Sequence, residues 1–143
     1  MNMKKSFVLL ELIIVIVILG VLATLGVMQY MGTTEQSRGA EARQILGQLR
    51  SKCAAIYMVE KDTASCDAGN LGIGADNAMI PDSCRPTQFF YYVVSNAGGD
   101  DIIFTATRCI AGGKIPNADK ENTLRLDTDY SVGTDNWSST GGY

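Results

Sequence analysis

The chain has 143 residues, enough for one small domain and an appendage, and its 46% apolar and 19% charged content excludes global disorder. A net charge of −3 with no basic patch along the soluble part excludes direct nucleic-acid binding as the expected role, and the absence of histidine excludes Ser-His-Asp and Cys-His catalysis. No phosphate loop, dinucleotide fingerprint or metal motif is present, so the sequence points away from an enzyme.

The first element is an apolar run. Lys4 and Lys5 precede 21 residues from Phe7 to Val27 in which only Glu11 and Thr24 are polar. As a helix this run is about 31 Å long, close to a hydrocarbon core of roughly 30 Å. No basic residue follows until Arg38, so the charge asymmetry predicts a cytoplasmic N-terminus and an exported remainder. A secretory signal cut after Ala23 and a plain one-span anchor both accommodate the length. Neither explains Glu11, which stands early in the run, since a carboxylate in a membrane helix costs about 2.5–3.5 kcal/mol near the centre and less near an end, a cost for which neither has a use. Cleavage between Ser6 and Phe7 does explain it. The new α-amino group lies four residues before Glu11, and a neighbouring copy's amine would neutralise the carboxylate only in an assembled state.

The helix is predicted to continue to Lys61. Ala42, Ile45, Leu46, Leu49, Cys53, Ile56 and Tyr57 fall on one face, the stripe expected under a covering domain. Gly20, Gly26, Gly32 and Gly39 are expected to permit close helix packing or local unwinding, and no proline occurs before Pro81.

Beyond the helix, Asp62 to Asp82 reads as a loop with an apolar insert at Leu71 and Ile73. Gln88 to Val94 is rich in β-formers and predicts a strand, and Asn96 to Asp100 a turn. Asp101 to Cys109 predicts a second strand, with Ile102, Phe104 and Ala106 on one face and Ile103 on the other. Asn122 to Asp127 predicts a third, with Leu124 and Leu126 inward. The tail from Thr128 is polar, with Trp137 in it. The expected fold class is α+β: a small antiparallel meander laid on the outer half of a long helix.

Four cysteines behind an export-like N-terminus predict two disulfides, with free thiols in a buried core as the alternative. Three connectivities are open. Cys66 lies just past the helix end, where the chain doubles back on Cys53. A Ser95–Asp101 pairing would bring a residue near Gly112, and so Cys109, towards Cys84. The preferred pairs are therefore Cys53–Cys66 and Cys84–Cys109. Asp127, Asp129 and Asp135 are candidate Ca²⁺ ligands without EF-hand spacing, a solvated loop being the plainer alternative; no other cofactor is expected. Asn136-Trp137-Ser138 fits the short glycosylation pattern.

The stretch Lys4-Lys5-Ser6 followed by Phe7-Val8-Leu9-Leu10-Glu11-Leu12-Ile13-Ile14-Val15-Ile16-Val17-Ile18-Leu19-Gly20-Val21-Leu22-Ala23 resembles the N-terminus of type IV pilins and type II secretion pseudopilins. The match is close over about 25 residues and loose to about Lys61. The resemblance implies that a membrane-embedded prepilin peptidase cuts before Phe7 and methylates its amine, with Glu11 as the assembly carboxylate. Ser6 stands where the family usually has Gly. The expected organisation is a leader at 1–6, an apolar transmembrane and assembly helix at 7–30, its amphipathic half at 31–61 and a head at 62–143. The implied partners are like subunits in a homo-polymer, the peptidase, an assembly ATPase and an inner-membrane platform. The precursor is expected in the inner membrane with its head outside, and the assembled subunit in a surface pilus. The nearest alternative is a major pseudopilin, a family that often binds calcium in its last loop. Its Tyr-Pro-Thr and Asp-Pro-Trp-Gly elements are absent here, and Asp135-Asn136-Trp137 is at best a remnant of the latter. A secreted or membrane-anchored binding module is the alternative from another class.

Overall fold

A computed structural model describes residues 3–75 and 77–143, with side chains from Phe7 onward except those of residues 96–98. Helix α1 spans Met3–Glu60, uninterrupted because no proline intervenes. Polar side chains on it bond back to its own carbonyls: Thr24 to Val21 O (2.8 Å), Thr33 to Gln29 O (3.0 Å) and Thr34 to Tyr30 O (2.8 Å). The helix stops at Lys61, whose φ of 56° is left-handed and whose N–H closes on Tyr57 O at 2.8 Å.

The chain divides into two compact units, one ending at Gln36 and the other running Ser37–Tyr143. In the first unit α1 is apolar from Phe7 to Val27 but for Glu11 and Thr24, and its large apolar side chains from Phe7 to Met31 are exposed.

In the second unit α1 buries Ala42, Leu46, Leu49 and Cys53, with Ile45 and Ile56 packed at the margin. These are stripe residues of the helical periodicity, and the expected face is the one covered. What covers them is a four-stranded antiparallel meander, preceded by three short elements. Helix α2 (Ala68–Leu71) is capped by Asp67, whose carboxylate accepts Asn70 N–H at 2.7 Å, and ends at Gly72 with φ 79°. Strands β1 (Ile73–Gly74) and β2 (Ile80–Pro81) form a two-residue parallel pair. The segment expected as a plain loop therefore contributes Leu71, Ile73 and Ile80 to the core. Leu71 and Ile73 are the apolar insert read in that loop; Ile80 was missed, because elements this short show no periodicity.

The sheet runs β3 (Phe90–Gly98), β4 (Asp101–Arg108), β5 (Thr123–Asp129) and β6 (Thr134–Ser139), antiparallel in that order. Phe90, Tyr92, Ile102, Phe104, Ala106, Leu124 and Leu126 are buried with α1, in the alternation expected of a half-buried sheet. Three details correct the sequence reading. Strand β3 starts at Phe90 rather than Gln88 and continues to Gly98 through an irregularity between Asn96 and Gly98, so the turn shortens to Gly99-Asp100, with Gly99 at φ 66°. The register is accordingly Ser95 with Ile103 and Gly98 with Asp101, not Ser95 with Asp101. A fourth strand, β6, occupies the polar tail, where no strand was expected. Every residue of β6 is exposed, so no burial alternation marked it, and it forms by pairing with β5 from Leu124–Ser139 to Asp129–Thr134.

Candidate functional site

Within the first unit, the side chains of Phe7, Val8, Leu9 and Leu10 and of the apolar residues on to Met31 carry no cover, Phe7 being 73% exposed. Each such side chain gains roughly 1.5–3 kcal/mol when fully removed from water. A continuous surface of this kind marks a membrane or assembly interface. This helix is long and apolar enough, by length and composition, to cross a membrane. Glu11 is exposed near the start of this surface, one helical turn from Phe7 and on the same face. A carboxylate there has no place in an apolar phase unless a positive group meets it. The expected cut falls beside Ser6, whose side chain lies outside the described residues, as do those of Lys4 and Lys5; residues 1 and 2 lie outside them entirely.

In the second unit, disulfides join Cys53 to Cys66 with Cα atoms 5.4 Å apart, and Cys84 to Cys109 with Cα atoms 5.7 Å apart. The first holds the chain after α1 against the buried helix face. The second ties the segment before β3 to the end of β4. A Cβ built on Gly112 would lie 3.9 Å from Cys84, so the two are neighbours although the strand register differs from the expected one.

The three candidate calcium ligands do not converge. Asp127 is bound to Arg125 Nε at 2.6 Å. Asp129 accepts the Ser131 hydroxyl (2.6 Å), Ser131 N–H (2.8 Å) and Val132 N–H (3.3 Å), and the Ser131 hydroxyl chiefly holds its carboxyl below the usual carboxylate range. Asp135 pairs across from buried Thr128, accepts that hydroxyl at 2.9 Å and Arg50 Nε at 2.7 Å, and so faces α1. Asp127 and Asp129 instead line a shallow groove of about 330 Å³ with Asp101, Arg125, Thr134 and Asn136. Among the described residues no group of three or more metal-ligating side chains is placed to hold an ion.

Several side chains organise the head through contacts that sequence reasoning missed, although Tyr57 falls on the helix face expected to be covered. Arg108 is fully buried, donating from Nη1 to Phe89 O (3.1 Å) and Cys109 O (3.3 Å) and from Nη2 to Pro116 O (2.8 Å). Its guanidinium also lies 5.0 Å from the Phe89 ring centroid. Tyr57 stacks on Tyr130 at 5.1 Å and donates to Asp100 Oδ1 at 2.5 Å, a bond that raises the Tyr57 pKa. Tyr130 donates to Arg50 O at 2.8 Å, and burial pushes its phenol up to about 12. Trp137, 43% exposed, packs under the Arg43 guanidinium at 5.5 Å. Gly39 is not left free for packing between copies: Tyr143 lies against it, whereas Gly20, Gly26 and Gly32 have open space beside them.

The chain is 30% identical over 71 residues to the type IV major fimbrial protein FimA of Dichelobacter nodosus. The aligned stretch is 50% of this chain and 46% of that protein, so the match spans about half the length of the relative. No family model matches the chain, and no solved structure matches it. The fimbrial similarity, the apolar N-terminal helix and the four-stranded α+β head fit a type IV pilin.

Proposed function

We propose that this chain is a structural subunit of a type IV pilus, made as a membrane-anchored precursor and polymerised through its N-terminal helix. The observation that carries the reading is Glu11: a carboxylate on an otherwise apolar, uncovered helix, one turn after Phe7. In the proposed sequence of events a prepilin peptidase cuts between Ser6 and Phe7 and methylates the Phe7 amine. That amine, positive and carried into the apolar core of the fibre, meets Glu11 of a neighbouring copy. The ion pair fixes register, and burial of Phe7 to Val27 against like helices supplies the association free energy. An assembly ATPase and an inner-membrane platform protein would extract the subunit from the bilayer, and the head would form the fibre surface. The fimbrial relative supports a pilus subunit over a secretion pseudopilin, and a structural role over an enzymatic one.

N-terminal sequencing of the mature protein tests the processing step. A methylated Phe7 in first position is expected, and Thr24 in first position would end the reading. Imaging of surface fibres tests assembly. Glu11→Ala is expected to abolish fibres while the processed subunit still accumulates in the membrane, and fibres of normal number and length in that variant would refute the role given to Glu11.

A further inference from the structure

Residues 140–143 cross back over the part of α1 that follows Gln36, and three independent features build their seat. Thr140 is fastened to β5, donating its N–H to Thr123 O (2.9 Å) while its hydroxyl accepts Thr123 N–H (2.8 Å). Gly141 and Gly142 then turn the chain, with φ of 81° and 80°, a conformation that side chains rarely adopt. At Gly141 a Cβ would also meet the Asn122 side chain at 2.4 Å. Beyond the turn the Tyr143 ring meets Phe90 edge-on, with centroids 5.5 Å apart and planes at 72°. Its main-chain oxygen accepts Arg43 Nη2 at 2.8 Å and the Ser139 hydroxyl at 3.0 Å. The ring fits because α1 has no side chain there: a Cβ on Gly39 would lie 2.5 Å from Tyr143 Cδ1.

We propose that Thr140–Tyr143 is a latch. Its closing holds the helical segment Ser37–Arg43 on the sheet, and its release lets that segment open while the rest of the head stays folded. The distribution of burial supports the separation. Between Ser37 and Arg43 the helix contributes only Gly39 and Ala42 to the buried set, whereas Leu46, Leu49 and Cys53 lie fully buried and Cys53 is covalently tied to Cys66. Gly39 is also the weakest intrinsic helix former of the segment. A segment with few apolar contacts and a poor helix former opens at a lower free energy than the core beside it, unless something holds it shut. Arg38 over the Phe89 ring at 4.8 Å and Arg43 over Trp137 at 5.5 Å touch the sheet at its surface, and Tyr143 adds the inward hold, through the ring on Phe90 and the main-chain oxygen on Arg43. The latch is independent of the fibre proposal, because every group in it belongs to one copy of the chain.

Amide hydrogen exchange of the full chain in detergent micelles tests it. Replacing Tyr143→Ala removes an aromatic contact, so amides of residues 39–45 are expected to exchange about 10–100-fold faster, with those of 49–56 essentially unchanged. The decisive variant is Gly39→Ala. If Ser37–Arg43 were only another helical turn, the better helix former would slow exchange there. The latch predicts faster exchange, because the new Cβ displaces the ring. Slower or unchanged exchange at 39–45 in Gly39→Ala overturns the proposal. So does equal acceleration from 39 to 56 in Tyr143→Ala, which would mean that the segment does not open separately.

Discussion

Replacing Arg108→Met tests what holds the end of the sheet together. The new side chain has a similar reach and stays apolar, so the volume is largely kept and the change isolates the guanidinium. Two of these carbonyl acceptors keep another donor: Phe89 O still receives Cys109 N–H at 2.9 Å, and Cys109 O still receives Ala118 N–H at 3.1 Å. Pro116 O loses the Nη2 bond of 2.8 Å. Pro116 is an exposed residue whose oxygen can turn to water, so the cost is that of the bonds themselves, roughly 1.5–3 kcal/mol for a charged donor. Removing a buried cation also relieves its desolvation, an offset of several kcal/mol in the gross terms. Three hydrogen bonds from one charged fork to the carbonyls of three chain segments outweigh the offset, for a net loss of about 1–2 kcal/mol. Guanidinium unfolding followed by Trp137 fluorescence measures it, since this single tryptophan sits on the head against Arg43. A lowered midpoint with an unchanged slope is expected. Stability within about 0.5 kcal/mol of the parent would show that Arg108 contributes nothing net and that the loop from Cys109 to Pro116 is held by other contacts.

Each disulfide can be weighed in the same assay. Loops of 13 and 25 residues predict losses of about 3 kcal/mol for Cys53→Ser with Cys66→Ser and about 3.5 kcal/mol for Cys84→Ser with Cys109→Ser, and no measurable loss for a pair would refute its stabilising role. The pH dependence follows from Asp129, whose folded pKa lies below its ordinary 3.8. Its contribution is whole above that value and is lost as pH falls through the folded pKa, so Asp129→Asn is expected to flatten the acid limb of stability below about pH 4 and to leave its slope at neutral pH alone. An acid limb of unchanged steepness in that variant would contradict the Ser131 and Val132 hydrogen bonds as the cause.

What the sequence determined by itself was local in origin. The apolar run from Phe7 to Val27, the one-turn spacing of Phe7 and Glu11 and the stripe from Ala42 to Cys53 follow from residue type and helical period, which need no distant partner. The alternation of Ile102, Phe104, Ala106, Leu124 and Leu126 made β4 and β5 legible for the same reason, and so the α+β class. Tertiary structure decided the rest. Strand β6 has no buried residue to announce it and exists because β5 presents an edge to pair with. The β3–β4 register depended on an irregularity at Asn96–Gly98 that lets the strand run on into the expected turn. The acidic residues near the end of the chain looked like one cluster in sequence, yet strand alternation sends Asp135 towards α1 and leaves Asp127 and Asp129 at the groove on β5. Arg108 reads as an ordinary surface charge until the carbonyls of Phe89, Cys109 and Pro116 are seen around it. Gly39 changed meaning most. By period alone it is a gap on a helix, open to another copy. Folding brings Tyr143 to fill it, and the Arg43–Tyr143 bond beside it closes a separation of 100 residues that no local pattern encodes.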